Sequence, residues 1–327
     1  MASGEALQAE RGTSSRAPDF FLVGHPKCGT TAIYEMLRRH PQVFTVPGMK
    51  ETGFFDDELP PPKPTSPRPR TLEEYLALFG DARPDQRAGE MTTSYLRTPN
   101  AARRIAEVQP DARIVALFRE PASFLRSLHM QLVRDRVEPV TELRAALALE
   151  PARREGREMP PDCPRPAALL YSNLVRYTEQ IKRYHEAFSP EQVLVVIYED
   201  FRTENRATME RVLRFIGADD IDALEVFDAH PSVRVRSTKA HGMLRATMMG
   251  EGAAARAAKS VVMPLTTHRF RQSAFRFVRD NLVFGRPKPP DEELTHELRR
   301  RFRGEVEAFG EYLGRDLVSL WGYGDVA

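Results

Sequence analysis

DFFLVGHPKCGTTAIYEMLRRH, residues 19–40, decides the fold. Phe20-Phe21-Leu22-Val23 is an unbroken apolar run closed by Gly24, the pattern of a strand buried on both faces of a parallel sheet. After it, Ala32, Ile33, Met36 and Leu37 fall on one helical face. That helix stops near His40-Pro41, because proline disfavours helix in the residue before it. The loop between them, GHPKCGTT (24–31), stands where a phosphate-binding loop stands. Gly29 lets the backbone come close to a ligand. The N–H groups of Gly29, Thr30 and Thr31 aim at an anion, with the helix dipole behind them. The threonine hydroxyls add donors, and Lys27 adds a mobile positive charge. The plain alternative is a strand-to-helix turn capped by threonines.

The loop departs from the GxxxxGK[ST] pattern of nucleotide triphosphatases. Thr30 occupies the lysine position, and the lysine of this loop lies three residues earlier. A second buried strand, Ile114–Phe118, ends in Phe118-Arg119 instead of the acid that would hold Mg²⁺. Both departures point away from an ATPase or kinase.

Working outward, strands and helices alternate, which implies βαβ units and a parallel sheet. Pro121 suits the first turn of a helix carrying Phe124, Leu125, Leu128, Leu132 and Val133 on its apolar side. Leu170, Leu174, Tyr177, Ile181 and Tyr184 predict one amphipathic helix, and Val193–Tyr198 a third strand. Met209, Val212, Leu213 and Ile216 mark a helix ended by Gly217, and Leu294 to Leu313 a long terminal one. The expected fold is therefore α/β, a single domain with a P-loop-like central parallel sheet flanked by helices and a helical C-terminal part. Residues 1–18 read as a disordered arm, 19–242 as the core and 243–327 as the helical part shaping an acceptor site. The proline-rich stretch 59–70 is a loop.

With 48 basic and 46 acidic residues the net charge is only +2, which argues against a general nucleic-acid binder. Two cysteines, Cys28 and Cys163, make neither a disulfide framework nor a zinc pattern, and no metal is expected. The opening residues lack the apolar stretch of a signal peptide, and no segment is apolar enough to span a bilayer. A soluble, cytoplasmic protein without stable membrane insertion is the default expectation.

PKCGTTAIYEML resembles the 5′-phosphosulfate loop of sulfotransferases that use 3′-phosphoadenosine 5′-phosphosulfate (PAPS). The stretch from Phe20 to about Phe55 is most similar to the heparan-sulfate type and its bacterial relatives. The resemblance implies that Lys27, Cys28, Gly29, Thr30 and Thr31 hold the 5′ end of the nucleotide. In the family an arginine at a strand end and a serine eight residues later bind the 3′-phosphate. RIVALFREPASFLRSLHM places Arg119 and Ser127 at that spacing. A surface ion pair and a tolerated helix polar residue are the bland readings of these two. By resemblance, Arg236, Ser237 and Lys239 in HPSVRVRSTKAHG lie over the nucleotide. The product is 3′-phosphoadenosine 5′-phosphate (PAP), and no metal is implied. GEMTTSYL (89–96) carries one departure: Met91 stands where heparan-type enzymes often carry a lysine. A second cation at the transferring group must then come from elsewhere or be absent.

The resemblance also implies a base. MKETGFFDDE (49–58) is similar to the stretch in which a glutamate precedes paired aromatics, which is Glu51 before Phe54-Phe55. The competing reading is a solvated loop glutamate beside Lys50. His25, His40 and His129 read as structural, and Cys28 not as a nucleophile. The acceptor is a small molecule, a sugar or a secondary metabolite. Two other functions stay open: a P-loop nucleotide kinase, and a PAP-binding protein without transfer activity. THRFRQSAFRFVRDNLVFGRPK (267–288) reads as an amphipathic helix with inward phenylalanines and solvated arginines.

Overall fold

The computed structural model describes residues 15–226 except 64 and 162, then 234–235, 284–285, 289 and 291–324. The expected arm, the third ligand segment with Arg236, Ser237 and Lys239, and nearly all of 267–288 lie outside the described residues.

Five parallel strands make one sheet: β1 (Phe20–Gly24), β2 (Val43–Thr45), β3 (Arg87–Glu90), β4 (Arg113–Phe118) and β5 (Val193–Ile197). Their order is β2-β3-β1-β4-β5. β1 forms the centre because every one of its residues is apolar or glycine and every one is buried. It pairs with β4 in register Phe21↔Ile114 through Gly24↔Leu117, and with β3 at Phe20↔Gly89. Connections leave β1 toward one side of the sheet and reach β4 and β5 on the other. The loop at its carboxyl end therefore opens at the switch point where such sheets bind ligands. The sheet is flanked by helices, as the alternation predicts. Among the described residues no helix is long and apolar enough to cross a membrane.

Two expectations need correction. β5 stops at Ile197, and Tyr198 instead opens the helix Tyr198–Thr203. The single helix over Leu170–Tyr184 is two, Tyr171–Leu174 and Tyr177–Ala187. Gln180 explains the break. Its side-chain amide donates to the carbonyls of Asn173 and Leu174, both 3.3 Å away, which an unbroken helix would have used internally.

The residues fall into two compact units. The first holds the sheet, with described residues up to Leu125, then 164–226 and 296–324. The terminal helix Glu292–Leu313 contributes Phe309, whose ring lies 4.6 Å from that of Phe118. The second unit runs from Arg126 to Cys163 and includes a two-residue antiparallel pairing, Arg234–Val235 with Phe284–Gly285. Its core carries a bidentate ion pair, Arg153 to Glu138 at 2.7 and 2.9 Å, with side chains 1% and 0% exposed. At that depth, removing one partner would strand a charge.

Gly89 is fixed by packing. A Cβ there would lie 2.1 Å from Cζ of Phe20, a ring with no exposed surface and nowhere to move. Gly89→Ala should therefore destabilise the protein by about 1–3 kcal/mol, as overpacking does. A urea midpoint unchanged from the parent would show that the sheet yields at this point.

Candidate functional site

The site starts at the end of β1. Gly24 has φ 152°, and a Cβ on it would stand 2.8 Å from Leu117 Cβ, so the strand can leave the sheet only as glycine. His25 follows, with 1% exposure. Gln180 Nε2 is committed to two carbonyls, so its Oε1 accepts, and His25 Nε2–H donates to it at 2.7 Å. Burial pushes the His25 pKa down to about 3, which keeps the ring neutral. His25 is a packing residue. Burial also pushes the Cys28 thiol up, so this cysteine is no thiolate nucleophile.

Lys27 sits at φ 72°, a left-handed conformation costing an ordinary residue roughly 1–2 kcal/mol. Arg119 helps hold it there, donating from Nη1 to the Lys27 carbonyl at 2.9 Å. The guanidinium lies 4.4 Å over the Tyr198 ring, and its Nε is buried without a hydrogen-bond acceptor. The Arg119 carbonyl takes the Tyr177 hydroxyl at 3.0 Å. The strand-end arginine and the loop lysine are therefore brought together.

Gly29, at φ 87°, caps the helix Thr30–Leu37. A Cβ on it would meet the Phe201 ring at 3.0 Å. The cap makes no side-chain hydrogen bond, and the first turn holds no acid, so nothing in the helix competes with an incoming anion. Behind this end lies a further brace. Glu199 accepts from Trp321 Nε1 at 2.9 Å, and Glu120 accepts from Tyr323 at 2.9 Å while capping the amides of Ala122 and Ser123. Burial raises the Glu199 pKa.

Across from the loop stands Glu51. Its Oε1 accepts from Thr93 Oγ1 at 3.2 Å and lies 3.5 Å from Lys50 Nζ. The same ammonium is 3.3 Å from Thr31 Oγ1 and 3.5 Å from Thr30 Oγ1. One cation thus links the carboxylate to the phosphate loop. Lys50 enters the sequence reading only as a neighbour of Glu51; the signal that marks it is its place directly before that residue.

The loop carrying Glu51 is held by a buried carboxylate. Glu90, 2% exposed, accepts from Thr52 at 2.9 Å, from Tyr75 at 2.8 Å and from Thr92. Those groups in turn receive loop amides: Gly53 N on Thr92 at 3.1 Å, and Phe54 N on Thr52 at 3.2 Å. Tyr95, 3.1 Å from Thr52 Oγ1, takes Phe55 N at 3.1 Å. Phe54 stacks on Tyr75 with centroids 4.6 Å apart. Met91 is buried beside this network, with 1% exposure.

Ser127 lies buried on the helix Pro121–Arg134, in the second unit, whereas Arg119 belongs to the first. His40 Nε2 meets the Asp220 carbonyl at 2.7 Å, and His129 Nε2 the Thr141 carbonyl at 3.2 Å. Among the described residues no cluster of three or more metal-ligating side chains occurs.

A parallel sheet with a helix N-terminus and its loop at the switch point, a strand-end arginine on that loop and a carboxylate linked to it by Lys50 make a candidate site for an anionic ligand. The Sulfotransferase family matches residues 18–222, and the chain belongs to it. A solved sulfotransferase from Alicyclobacillus acidocaldarius superposes with a TM-score of 0.63 and 25% identity, covering 94% of this chain and 99% of that one. The human bifunctional heparan sulfate N-deacetylase/N-sulfotransferase 3 is 26% identical over 215 residues, 63% of this chain and 23% of that protein. Human heparan sulfate glucosamine 3-O-sulfotransferase 6 is 34% identical over 112 residues, 33% of this chain and 28% of that protein. The aligned parts thus span less than a third of these curated relatives. Family membership groups the chain with the sulfotransferases.

The Glu90 carboxylate titrates against its burial. Desolvation raises its pKa, only partly offset by the hydroxyls of Thr92, Tyr75 and Thr52. A raised native pKa means that the folded state binds the proton more tightly than the unfolded one. The associated stability is complete below the unfolded value and is lost as pH rises through the folded one. Unfolding free energy should therefore fall as pH climbs from the ordinary glutamate value of 4.5 through the raised one. Glu90→Gln should flatten that segment, and an unaltered slope in denaturant melts across it would assign the titration elsewhere.

Proposed function

We propose that this chain moves a sulfuryl group from PAPS to a hydroxyl or amine of a small acceptor, with Glu51 as general base. The observation that supports it most is the shared ammonium of Lys50, which sets the Glu51 carboxylate against the hydroxyls of the phosphate loop. A base so placed can meet an acceptor arriving at the far side of a loop-bound sulfate.

In this reading the loop amides of Gly29, Thr30 and Thr31, with Cys28 in the turn, cradle the 5′-phosphosulfate. Arg119 and Ser127 take the 3′-phosphate on the strength of their motif spacing, and Arg236, Ser237 and Lys239, by resemblance, lie over the nucleotide. Sulfuryl transfer, like phosphoryl transfer, passes through a loose in-line transition state, so the protein positions and stabilises charge. Lys27 neutralises the leaving 5′-phosphate. Glu51 receives the acceptor proton. PAP is the product, and no metal takes part. The names of the matched relatives support a carbohydrate hydroxyl or amine as acceptor.

PAP should bind without metal and raise the melting temperature by linkage, while adenosine 5′-phosphosulfate, lacking the 3′-phosphate, should bind far more weakly. Arg119→Ala should weaken PAP by about 1.5–3 kcal/mol, the worth of a hydrogen bond to a charged group. Equal stabilisation by the two nucleotides, or a strict need for magnesium, would refute the donor assignment.

Glu51→Gln should lower transfer by roughly 10²–10⁴-fold with PAP affinity kept within about 0.5 kcal/mol. The assay incubates enzyme with PAPS and an acceptor library and reads products one SO₃ heavier. Near-normal turnover in the variant would move the base to another residue, and PAP binding without any transfer would leave a binding protein.

A further inference from the structure

We propose that Lys50 is the second cation on the transferring sulfuryl group, held between the phosphate loop and the base. The proposal rests on the donor reading above and deepens it.

Three oxygens surround the ammonium: Thr31 Oγ1 at 3.3 Å, Thr30 Oγ1 at 3.5 Å and Glu51 Oε1 at 3.5 Å. All three distances lie beyond the usual 2.7–3.2 Å range for N–H···O hydrogen bonds. The donors of Lys50 are thus loosely engaged and can turn to a better acceptor. Two of the three oxygens belong to the first turn of the anion-directed helix, and the third to the candidate base. An anion seated on the helix N-terminus, with its reacting end toward Glu51, has this ammonium at its side.

The Lys50 side chain is only 21% exposed, and burial lowers its pKa, an effect that the carboxylates of Glu51 and Glu35 offset only in part. A partly dehydrated ammonium interacts with a new anion more strongly than one in water. A purely structural role is a poor match, because a partly exposed pair at 3.5 Å contributes little to stability. Met91, buried under the neighbouring loop, brings no charge, so Lys50 meets the need for a second cation that the sequence leaves open.

The step balances without a further reagent. The acceptor oxygen or nitrogen attacks sulfur and forms the new bond. The bond from sulfur to the 5′-phosphate oxygen breaks, and its electron pair stays on PAP. The acceptor proton passes to the Glu51 carboxylate. Lys50 keeps its protons throughout and offsets charge on the equatorial sulfuryl oxygens, while Lys27 serves the leaving phosphate.

The test compares PAP and PAPS on the full chain and on Lys50→Met, which keeps an unbranched side chain one atom shorter and removes the charge, with Lys50→Arg as the charge-conserving control. Binding is read by calorimetry, and PAPS consumption by PAP release with no added acceptor, water then taking the sulfuryl group. In Lys50→Met, PAP affinity should stay within about twofold, PAPS affinity should fall several-fold, and PAPS consumption should drop about 10–100-fold, the scale of one charge-assisted contact. Lys50→Arg should recover part of the consumption. Equal losses on PAP and PAPS, or unchanged consumption with unchanged PAPS affinity, would overturn the role. If the parent protein binds neither nucleotide, the donor reading fails, and that failure appears before any variant is compared.

Discussion

The hydrogen bond from Arg119 to the Lys27 carbonyl ties the structure together. Lys27 adopts a left-handed backbone that a lysine leaves unless something holds it, and Arg119 reaches across from the end of the next strand to do so. That reach is possible because β1 and β4 run parallel in a fixed register, so their carboxyl ends are neighbours. Around Arg119 the packing closes in layers. Tyr198 lies under the guanidinium, Tyr177 holds the carbonyl, and Glu199 with Trp321 backs the same corner. The anion-directed loop is therefore preorganised by residues drawn from the whole first unit. Preorganisation of this kind is what electrostatic catalysis needs, since dipoles already aimed do not have to be turned during reaction.

The opposite wall follows a different logic. Glu90 is buried among three hydroxyls that pass its polarity outward to the amides of Gly53 and Phe54. An apolar residue at that depth would pack, but it would leave these amides without a network to join. The aromatic cluster of Phe54, Phe55, Tyr75 and Phe79 supplies the apolar half of the wall. Glu51 thus projects from a loop with rigid neighbours although its own side chain is partly exposed.

Much of this was legible in the sequence, for reasons that differ by element. β1, β4 and the phosphate loop were visible because burial on both faces writes an unbroken apolar run, and a glycine turn before a helix writes its own signal. β2 and β3 were not, because three residues of Val43-Phe44-Thr45 and the polar Arg87-Ala88-Gly89-Glu90 carry too little periodicity to stand out. The break after Leu174 was hidden for a different reason: it depends on one glutamine side chain taking two carbonyls. Lys50 and Glu90 could be named as residues but not given places, since what each touches is set by tertiary contacts, with Thr30 and Thr31 for Lys50 and with Thr52 and Tyr75 for Glu90. The family resemblance singles out Arg119 for the 3′-phosphate, and the structure adds a contact the sequence does not announce, from its guanidinium to the Lys27 carbonyl of the loop.

Trp321 is the single tryptophan of the chain, 3% exposed, with its indole N–H on Glu199 and its ring 6.5 Å from that of Tyr177. The protein therefore carries one native fluorophore, set against the residues that steady Arg119. Its emission reports a single environment, free of the averaging that several indoles impose. Any rearrangement at this corner that disturbs the Glu199 carboxylate will be recorded there as a change in colour or brightness, with no label attached.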